Sequence, residues 1–375
     1  MSIVEGFIDG LLGKRGNSVK IERDTPEEII QREEERIFKK KIRNEFTEQQ
    51  EIKELEEFLH RPACYQVTVA RPDTFDDYIG QESTKEILKS SIKACKIKNT
   101  FFPHTIFWGS AGLGKTTLSY LIAKELDANL ILTAGGQLEN KEELMNIFKQ
   151  FKPDKQNILF IDEVHAVKRK ISEMLYSAME DFRFDYTTKT DRVLSLNLPP
   201  FTLIGATTDM AKILTPIRQR FQHSFQLVPY TVDESCEIIN HYLGRLGYKN
   251  IKHEIILAIA KRSRDVARHA INFTKNILNY RIAKEKIVTV ELVDEFFNKK
   301  GIDKEGLSGY DKEYLHFLYE SKKAGINTLT KALGIDKKTI EDEIESYLMR
   351  KRFIRIATGG RTLTQTGVKY VESNK

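Results

Sequence analysis

Between residues 104 and 228 the hydrophobic pattern alternates between two kinds of segment. Short apolar runs predict buried strands, and each is followed by a stretch whose apolar residues recur at helical spacing. The predicted strands lie at 104–108, 129–133, 157–161, 201–208 and 224–228. Strands that alternate with helices predict an α/β fold with a parallel, doubly wound sheet, which binds its ligand at the carboxyl ends of the strands.

From residue 231 to residue 297 the apolar spacing is helical only, which predicts a separate helical lid. Its helices are predicted at 233–246, 253–263, 266–284 and 289–298. A hinge rich in glycine and charge follows at 301–309. The remaining pattern predicts a winged helix, with helices at 311–321, 327–333 and 336–351 and strands at 353–356 and 362–365.

The first 65 residues are strongly charged and differ from the rest. Thr25, Pro26 and Glu28 predict a helix start, as N-cap, N1 and capping-box residues, and the helix should run to about Leu59. Two interpretations of this helix remain: it docks on a partner or a neighbouring subunit, or it is a solvated helix. The predicted domains are an N-terminal extension (1–65), the sheet domain (66–230), the lid (231–304) and the winged helix (305–375).

A glycine-rich sequence, GSAGLGKTT at 109–117, lies between the first strand and the next helix. It fits G-x-x-x-x-G-K-[ST], a loop whose backbone N–H groups bind phosphate at a helix N-terminus. Lys115 is predicted to reach the β- and γ-phosphates, and the Thr116 hydroxyl to ligate Mg²⁺. A chance glycine-rich turn is the alternative.

The predicted strand at 157–161 ends in Asp162 and Glu163. Two adjacent acids after a buried run are costly unless a cation or a water uses them. Asp162 is therefore predicted to hold Mg²⁺ and Glu163 to polarise the attacking water, with a solvated strand end as the alternative. Thr207, at the tip of the next strand, could position that water. These features together predict an ATP-hydrolysing enzyme.

Composition and charge limit the possible partners and the cellular compartment of the protein. The net charge of +6 over 375 residues permits nucleic-acid binding without requiring it. Three scattered cysteines without a C-x-x-C pair favour a reducing compartment and argue against a zinc site. The sequence contains no apolar run of membrane length and no secretory signal pattern, so we expect a cytoplasmic protein.

Two features indicate contacts with macromolecules. Residues 182–198 predict an inserted β-hairpin, interpreted as a contact surface for DNA or protein, with an ordinary surface loop as the alternative. In the winged helix, a basic cluster without an intervening acid adjoins Gly359-Gly360 and consists of Arg350, Lys351, Arg352, Arg355 and Arg361. Because the preceding helix is acidic, we expect contacts with phosphates more than with bases, and a protein-binding winged helix is the alternative.

These motifs resemble the RuvB family of AAA+ ATPases, the motors of Holliday-junction branch migration, over about residues 66–371. The matching segments are Arg71-Pro72, YIGQ at 78–81, 109–117, LFIDEVH at 159–165, AMEDFR at 178–183, LPPFTLIGATT at 198–208 and TIED at 339–342. The resemblance implies an AAA+ ATPase domain, a lid and a C-terminal winged helix, with ATP and Mg²⁺ as cofactors.

The resemblance also implies roles for individual residues. The adenine would be flanked by Ala70, Arg71, Tyr78 and Ile79. The phosphates and Mg²⁺ would be held by Gly112, Gly114, Lys115, Thr116 and Thr117. Other residues around the nucleotide would be the sensor Thr207, with Thr208, the second sensor Arg268 in the lid, Tyr230 at the domain junction, and Glu180, Asp181 and Phe182.

Arg220 matches the family's arginine finger. Far along the sheet edge from its own nucleotide, it would complete a neighbouring subunit's site and supply on the order of 10³-fold in rate. This implies a homo-oligomer, expected to be a hexameric ring. In the wing, Arg355 and Arg361 would contact DNA, although Ile356 stands where the family has an arginine.

Two further departures leave the partner open. The N-terminal extension has no counterpart in the family, and the hairpin tip at 187–192 is short and polar, whereas the family's hairpin docks the junction-binding protein RuvA. A motor on branched or double-stranded DNA in recombination, repair or replication is the leading hypothesis. The alternatives are an ATP-gated switch like a clamp loader or initiator, and a phage-type protein whose extension replaces RuvA as recruiter.

Overall fold

The computed structural model describes residues 71–187, 193–248 and 250–374. The predicted N-terminal helix, Ala70 and residues 188–192 of the hairpin tip predicted at 187–192 lie outside the described residues. None of the helices in these described ranges has the combined length and hydrophobicity of a membrane span.

A parallel sheet forms the centre of the first domain. In chain order the strands are β1 (Thr105–Trp108), β2 (Asn129–Ala134), β3 (Asn157–Asp162), β4 (Arg183–Thr187), β5 (Val193–Asn197), β6 (Phe201–Thr207) and β7 (His223–Gln226). Among the described residues, five of them pair in parallel in the order β2-β3-β6-β1-β7. The predicted parallel sheet is confirmed, and β4 and β5 form the predicted antiparallel hairpin beside it.

Helices cover both faces of the sheet. They are α1 (Glu82–Lys98), α2 (Lys115–Glu125), α3 (Lys141–Phe148), α4 (Arg169–Asp181) and α5 (Thr215–Arg220). In β3, Leu159 and Ile161 belong to the hydrophobic cluster that α3, α4 and α5 share. Ile158 and Phe160 belong to the cluster on the other face, with α1 and α2. Successive side chains of a strand point to opposite faces, so a strand covered on both faces reads as one apolar run.

The lid consists of helices, as predicted. They are α6 (Val232–Arg245), α7 (His253–Ala260), α8 (Ala267–Lys284) and α9 (Val290–Lys299). The first is fixed by a capping box, because the Thr231 hydroxyl accepts from the Glu234 N–H while the Glu234 carboxylate accepts from the Thr231 N–H. Such a box stabilises the helix start immediately after the last strand of the sheet domain.

The C-terminal part is a winged helix, which confirms that prediction. Its elements are α10 (Gly309–Ser321), α11 (Ile326–Leu333), α12 (Lys337–Thr339), a π-helical stretch (Ile340–Glu345), α13 (Ser346–Arg350), β8 (Ile354–Ala357), β9 (Gly360–Leu363) and α14 (Gln365–Ser373). The sequence predicted one α-helix over 336–351 and missed α14. Thr364 caps α14, and Val371 anchors that helix in the core of the module.

Candidate nucleotide-binding site

The glycine-rich loop turns tightly between β1 and α2. Gly112 and Gly114 have φ of 80° and 100°, where residues with a Cβ are disfavoured. A Cβ on Gly114 would lie 2.3 Å from Tyr78 Oη. Gly114 is also the N-cap of α2 and offers no capping side chain. The first N–H groups of α2 are thereby left for a bound anion.

Lys115 lies folded back into this loop. Its Nζ donates to the carbonyl oxygens of Gly109 at 2.7 Å and Ser110 at 3.0 Å, and the residue is 6% exposed. Burial lowers the pKa of the ammonium, while the carboxylates of Glu163 and Asp162 raise it. The acids at the end of β3 therefore act on the lysine of the loop, which brings the two sequence motifs to one site.

Glu163 is held against the tip of β6. Its Oε2 accepts from both the N–H and the Oγ1 of Thr208, each at 3.2 Å. His165 Nδ1 lies 3.0 Å from the same oxygen and 2.8 Å from Oγ1 of Thr207, which is fully buried. The predicted water-polarising acid and the predicted sensor are thus linked. The LFIDEVH segment contains His165, but sequence reasoning gave that histidine no role.

A cleft of about 80 Å³ opens between the loop and the lid. Tyr78 and Ile79 line it together with Pro72, Asp77, Gly114, Thr117, Tyr230, Ile238, His241, Tyr242, Ala267 and Ile271. The Tyr78 and Tyr230 hydroxyls donate to the Leu113 carbonyl oxygen at 3.1 and 2.9 Å. Burial raises the pKa of Tyr78 well above its usual value and that of Tyr230 to about 12, so both remain neutral donors.

Arg71 is absent from the lining of this cleft. Its guanidinium lies 4.1 Å from the centroid of the Tyr120 ring on α2, and its carbonyl oxygen accepts from Arg245 of the lid. Pro72, the next residue, contributes to the wall instead. The backbone of Arg71 therefore joins the sheet domain to the lid, and an adenine contact by this residue stays a prediction.

Arg268 lies against the loop from the lid side. Its N–H donates to the Gly112 carbonyl oxygen at 3.3 Å. A Cβ on Gly112 would lie 2.9 Å from Arg268 Cβ and 2.7 Å from Val266 Cγ1. The positive charge of Arg268 also lowers the pKa of Lys115. The predicted second sensor is therefore at the phosphate loop, where a triphosphate would carry its negative charge.

Arg220 contacts α4 rather than the loop. Its guanidinium forms an ion pair with Glu180, donates to Tyr176 Oη at 2.7 Å and lies 4.8 Å from the Tyr176 ring centroid. Phe182 packs on the Phe201 ring next to the hairpin. Arg218, on the same helix as Arg220, is exposed and has no ion pair within the described part of the chain. Sequence reasoning passed over Arg218.

The basic cluster of the winged helix is only partly free. Arg350 pairs with Asp265 and Lys351 with Glu305. Arg361, 12% exposed at its side chain, donates to both carboxylate oxygens of Glu345 at 2.8 and 3.1 Å. The expectation of a cluster without acids thus holds along the sequence but not in space. Two members of the cluster, Arg352 and Arg355, have no carboxylate partner within the ranges that the structure describes.

Comparisons with known proteins agree with this geometry. The sequence model of the Holliday junction DNA helicase RuvB P-loop domain matches residues 70–227, and that of the RuvB C-terminal winged helix domain matches residues 304–372. A RuvB subunit of Prochlorococcus marinus (strain MIT 9312) is 37% identical over 314 residues, which is 82% of this chain and 88% of the relative. One of Campylobacter fetus is 39% identical over 305 residues, 80% of this chain and 88% of the relative.

A solved structure extends the agreement to three dimensions. The Thermotoga maritima RuvB Holliday junction branch migration motor superposes with a TM-score of 0.70 at 32% identity, covering 81% of this chain and 98% of that one. The similarity therefore includes the ATPase sheet, the lid and the winged helix in their order along the chain. The chain belongs to the RuvB family.

Proposed function

We propose that this chain is an ATP-hydrolysing motor that drives branch migration of Holliday junctions. One observation carries the proposal: the loop lysine, the acids at the end of β3, the hydroxyls at the tip of β6 and the lid arginine meet at one edge of the sheet, in a chain that ends in a winged helix. The curated relatives are named as subunits of a Holliday junction branch migration complex, which supports the choice of DNA substrate.

The nucleotide is bound between the sheet domain and the lid. The base enters the cleft at Tyr78 and Ile79, and the phosphates lie on the N–H groups of the loop. Lys115 leaves its carbonyl partners for the β- and γ-phosphates, whose negative charge stabilises the buried ammonium. Arg268 adds a second positive charge from the lid.

A magnesium ion fits the oxygen donors of this edge. Thr116, in the first turn of α2, offers a hydroxyl, and Asp162 offers a carboxylate at the end of β3. Mg²⁺ in nucleotide sites commonly uses one or two carboxylates together with substrate phosphates. The influence of Asp162 on Lys115 supports their common location. When bound, the metal neutralises charge that develops on the β- and γ-oxygens.

Glu163 accepts a proton from the attacking water, or polarises it. Its Oε2 is fixed by Thr208 and His165, so the other carboxylate oxygen, Oε1, has a defined direction. The Thr207 hydroxyl holds the His165 ring in place through a hydrogen bond to Nδ1. Because the Glu163 carboxylate is held in this way, less reorganisation is needed at the moment of reaction.

Arg220 serves the site of a neighbouring subunit in a ring, which we propose to be hexameric. Its pairing with Glu180 leaves it 35% exposed at the surface of its own subunit. Arg220→Ala and Glu163→Gln should each be inactive alone, yet hydrolyse ATP when mixed, because each supplies the group that the other lacks. Lys115→Ala should abolish turnover.

A matched control sharpens the mixing experiment. Arg220→Ala mixed with the double variant Arg220→Ala/Glu163→Gln contains no finger arginine, so phosphate release should stay at background. Arg218→Ala, tested in the same way, shows whether the exposed arginine of α5 contributes. Absence of rescue under conditions where light scattering detects rings would contradict the shared site.

The motor activity itself is tested on a synthetic four-way junction, with and without a RuvA-type partner. ATP should drive strand exchange, and Glu163→Gln should bind the junction without moving it. Duplex binding that responds to ATP without any strand movement would instead favour a switch or loader. Charge reversal at Arg355 should weaken binding to all sequences alike, since the exposed guanidinium is proposed to contact phosphates.

A further inference from the structure

Arg264 and Asp265 form a left-handed turn between α7 and α8. Their φ angles are 56° and 62°. Neither is a glycine, and the left-handed region is disfavoured for residues that carry a Cβ. Two such residues in succession persist only when surrounding contacts hold them. Those contacts come from two different sides of the turn.

One side is the winged helix. The Arg264 guanidinium donates to both carboxylate oxygens of Asp311 at 3.1 Å, and Asp311 is fully buried in the first turn of α10. The Arg264 guanidinium also donates to the Glu343 carbonyl oxygen at 2.7 Å and lies 4.4 Å from the Tyr347 ring centroid. Planar, bidentate pairing with a buried acid fixes orientation as well as distance.

Asp265 is held by the same module. Its Oδ2 accepts from Arg350 Nε at 3.2 Å, and Arg350 also donates to the Arg264 carbonyl oxygen at 3.2 Å. Arg350 is the last residue of α13, the end of the helix that precedes the wing. Side chain and backbone of the turn are thus both tied to the DNA-binding part of the molecule.

The other side is the nucleotide loop. The Asp265 carbonyl oxygen accepts from the Tyr230 N–H at 2.9 Å, and the Tyr230 hydroxyl donates to Leu113 of the loop. Val266 packs in the same hydrophobic cluster as Leu113, and the Arg268 N–H donates to Gly112. Residues 264–268 therefore contact the phosphate loop and the winged helix within one short segment.

We propose that Arg264 and Asp265 are positioning residues that transmit the state of the nucleotide loop to the winged helix. This inference rests on the proposed function, in which the loop binds ATP and the winged helix binds DNA. A shift of the loop displaces Val266 and Arg268, and the turn passes the displacement on because ion pairs fix it to α10 and α13. By linkage, DNA must then change nucleotide affinity by the factor by which nucleotide changes DNA affinity.

The test measures duplex affinity of the full chain by fluorescence anisotropy, with ADP and with a non-hydrolysable ATP analogue. In the wild type the two dissociation constants should differ by about 5- to 150-fold, the usual range of such coupling. Asp265→Asn tolerates the left-handed backbone but loses the ion pair, and Arg264→Lys keeps the charge but loses the bidentate geometry. Both should bring the ratio towards one while ATP turnover without DNA is unchanged.

Glu305→Gln is the matched control, since it removes the ion pair of the neighbouring Lys351 without touching the turn. It should retain the wild-type ratio. A wild-type ratio in both turn variants, or a ratio of one in a wild type that hydrolyses ATP and binds duplex, overturns the inference. A wild type that does neither contradicts the proposed function itself. If thermal melting shows that Arg264→Lys is unfolded, Asp265→Asn alone decides.

Discussion

Replacing Arg361 by alanine should loosen the wing before it affects any phosphate contact. The Arg361 guanidinium is the ionic partner of Glu345, whose side chain is 2% exposed, and Tyr314 Oη donates to the same carboxylate at 2.8 Å. In Arg361→Ala the tyrosine is the remaining side-chain partner of that buried charge within the described residues. Breaking a buried pair by removing one partner costs about 3–5 kcal/mol.

Native-state hydrogen exchange of the winged-helix amides measures this cost, because it reports local opening in a chain of several domains. Amides of α10, α13 and β9 should lose protection by that amount. The double variant Arg361→Met/Glu345→Leu removes both charges, and such apolar replacement is often neutral or stabilising by about 1–4 kcal/mol. Most of the protection should therefore return, and the remaining loss should correspond to the buried Tyr314 hydroxyl, which loses its acceptor.

DNA binding by the same variants decides how Arg361 acts. If it only clamps the wing, the double variant binds duplex as the wild type does. If it contacts a phosphate, as the family resemblance implies, the affinity stays low and the salt slope falls by about 0.9. Because only 12% of the Arg361 side chain is exposed, we expect the double variant to bind duplex as the wild type does. Arg355→Ala is the control, and it should show wild-type amide protection but a reduced salt slope of DNA binding. Normal protection in Arg361→Ala would refute the reasoning.

Three further predictions concern the sheet domain. Gly114→Ala should abolish ATP binding by calorimetry, since its Cβ would lie 2.3 Å from Tyr78 Oη at a φ of 100°; Tyr78→Phe should not restore binding, because the strained φ remains. His104 Nδ1 accepts from the Leu203 N–H, and burial lowers its pKa from 6.5. The unfolded chain therefore binds the proton more readily, so urea unfolding should show stability retained above pH 6.5 and lost below it, with a weaker loss in His104→Asn. Chelation of Mg²⁺ should stop phosphate release, and Asp162→Asn should raise the Mg²⁺ concentration needed for half-maximal release; an unchanged requirement would contradict the metal assignment.

Local sequence determined the phosphate loop and the order of the elements. The spacing from Gly109 to Thr116 specifies a turn that ends on a helix N-terminus, whatever lies around it. The apolar runs of β1, β3 and β6 predict buried strands because each is covered on both faces. Helical spacing in the lid is equally local. These features leave their signature in the residue types of a short stretch of chain, so a single sequence was enough to predict them.

Only the tertiary structure decided which charges are free and which acid meets which hydroxyl. Arg361 reads as part of a basic cluster, yet Glu345, 16 positions earlier along the chain, neutralises it in space. No local pattern assigns a partner to Arg264, yet Asp311, 47 positions later along the chain, accepts two hydrogen bonds from it. Ion pairs and hydrogen bonds between distant elements depend on how those elements pack, and neither periodicity nor spacing encodes that packing.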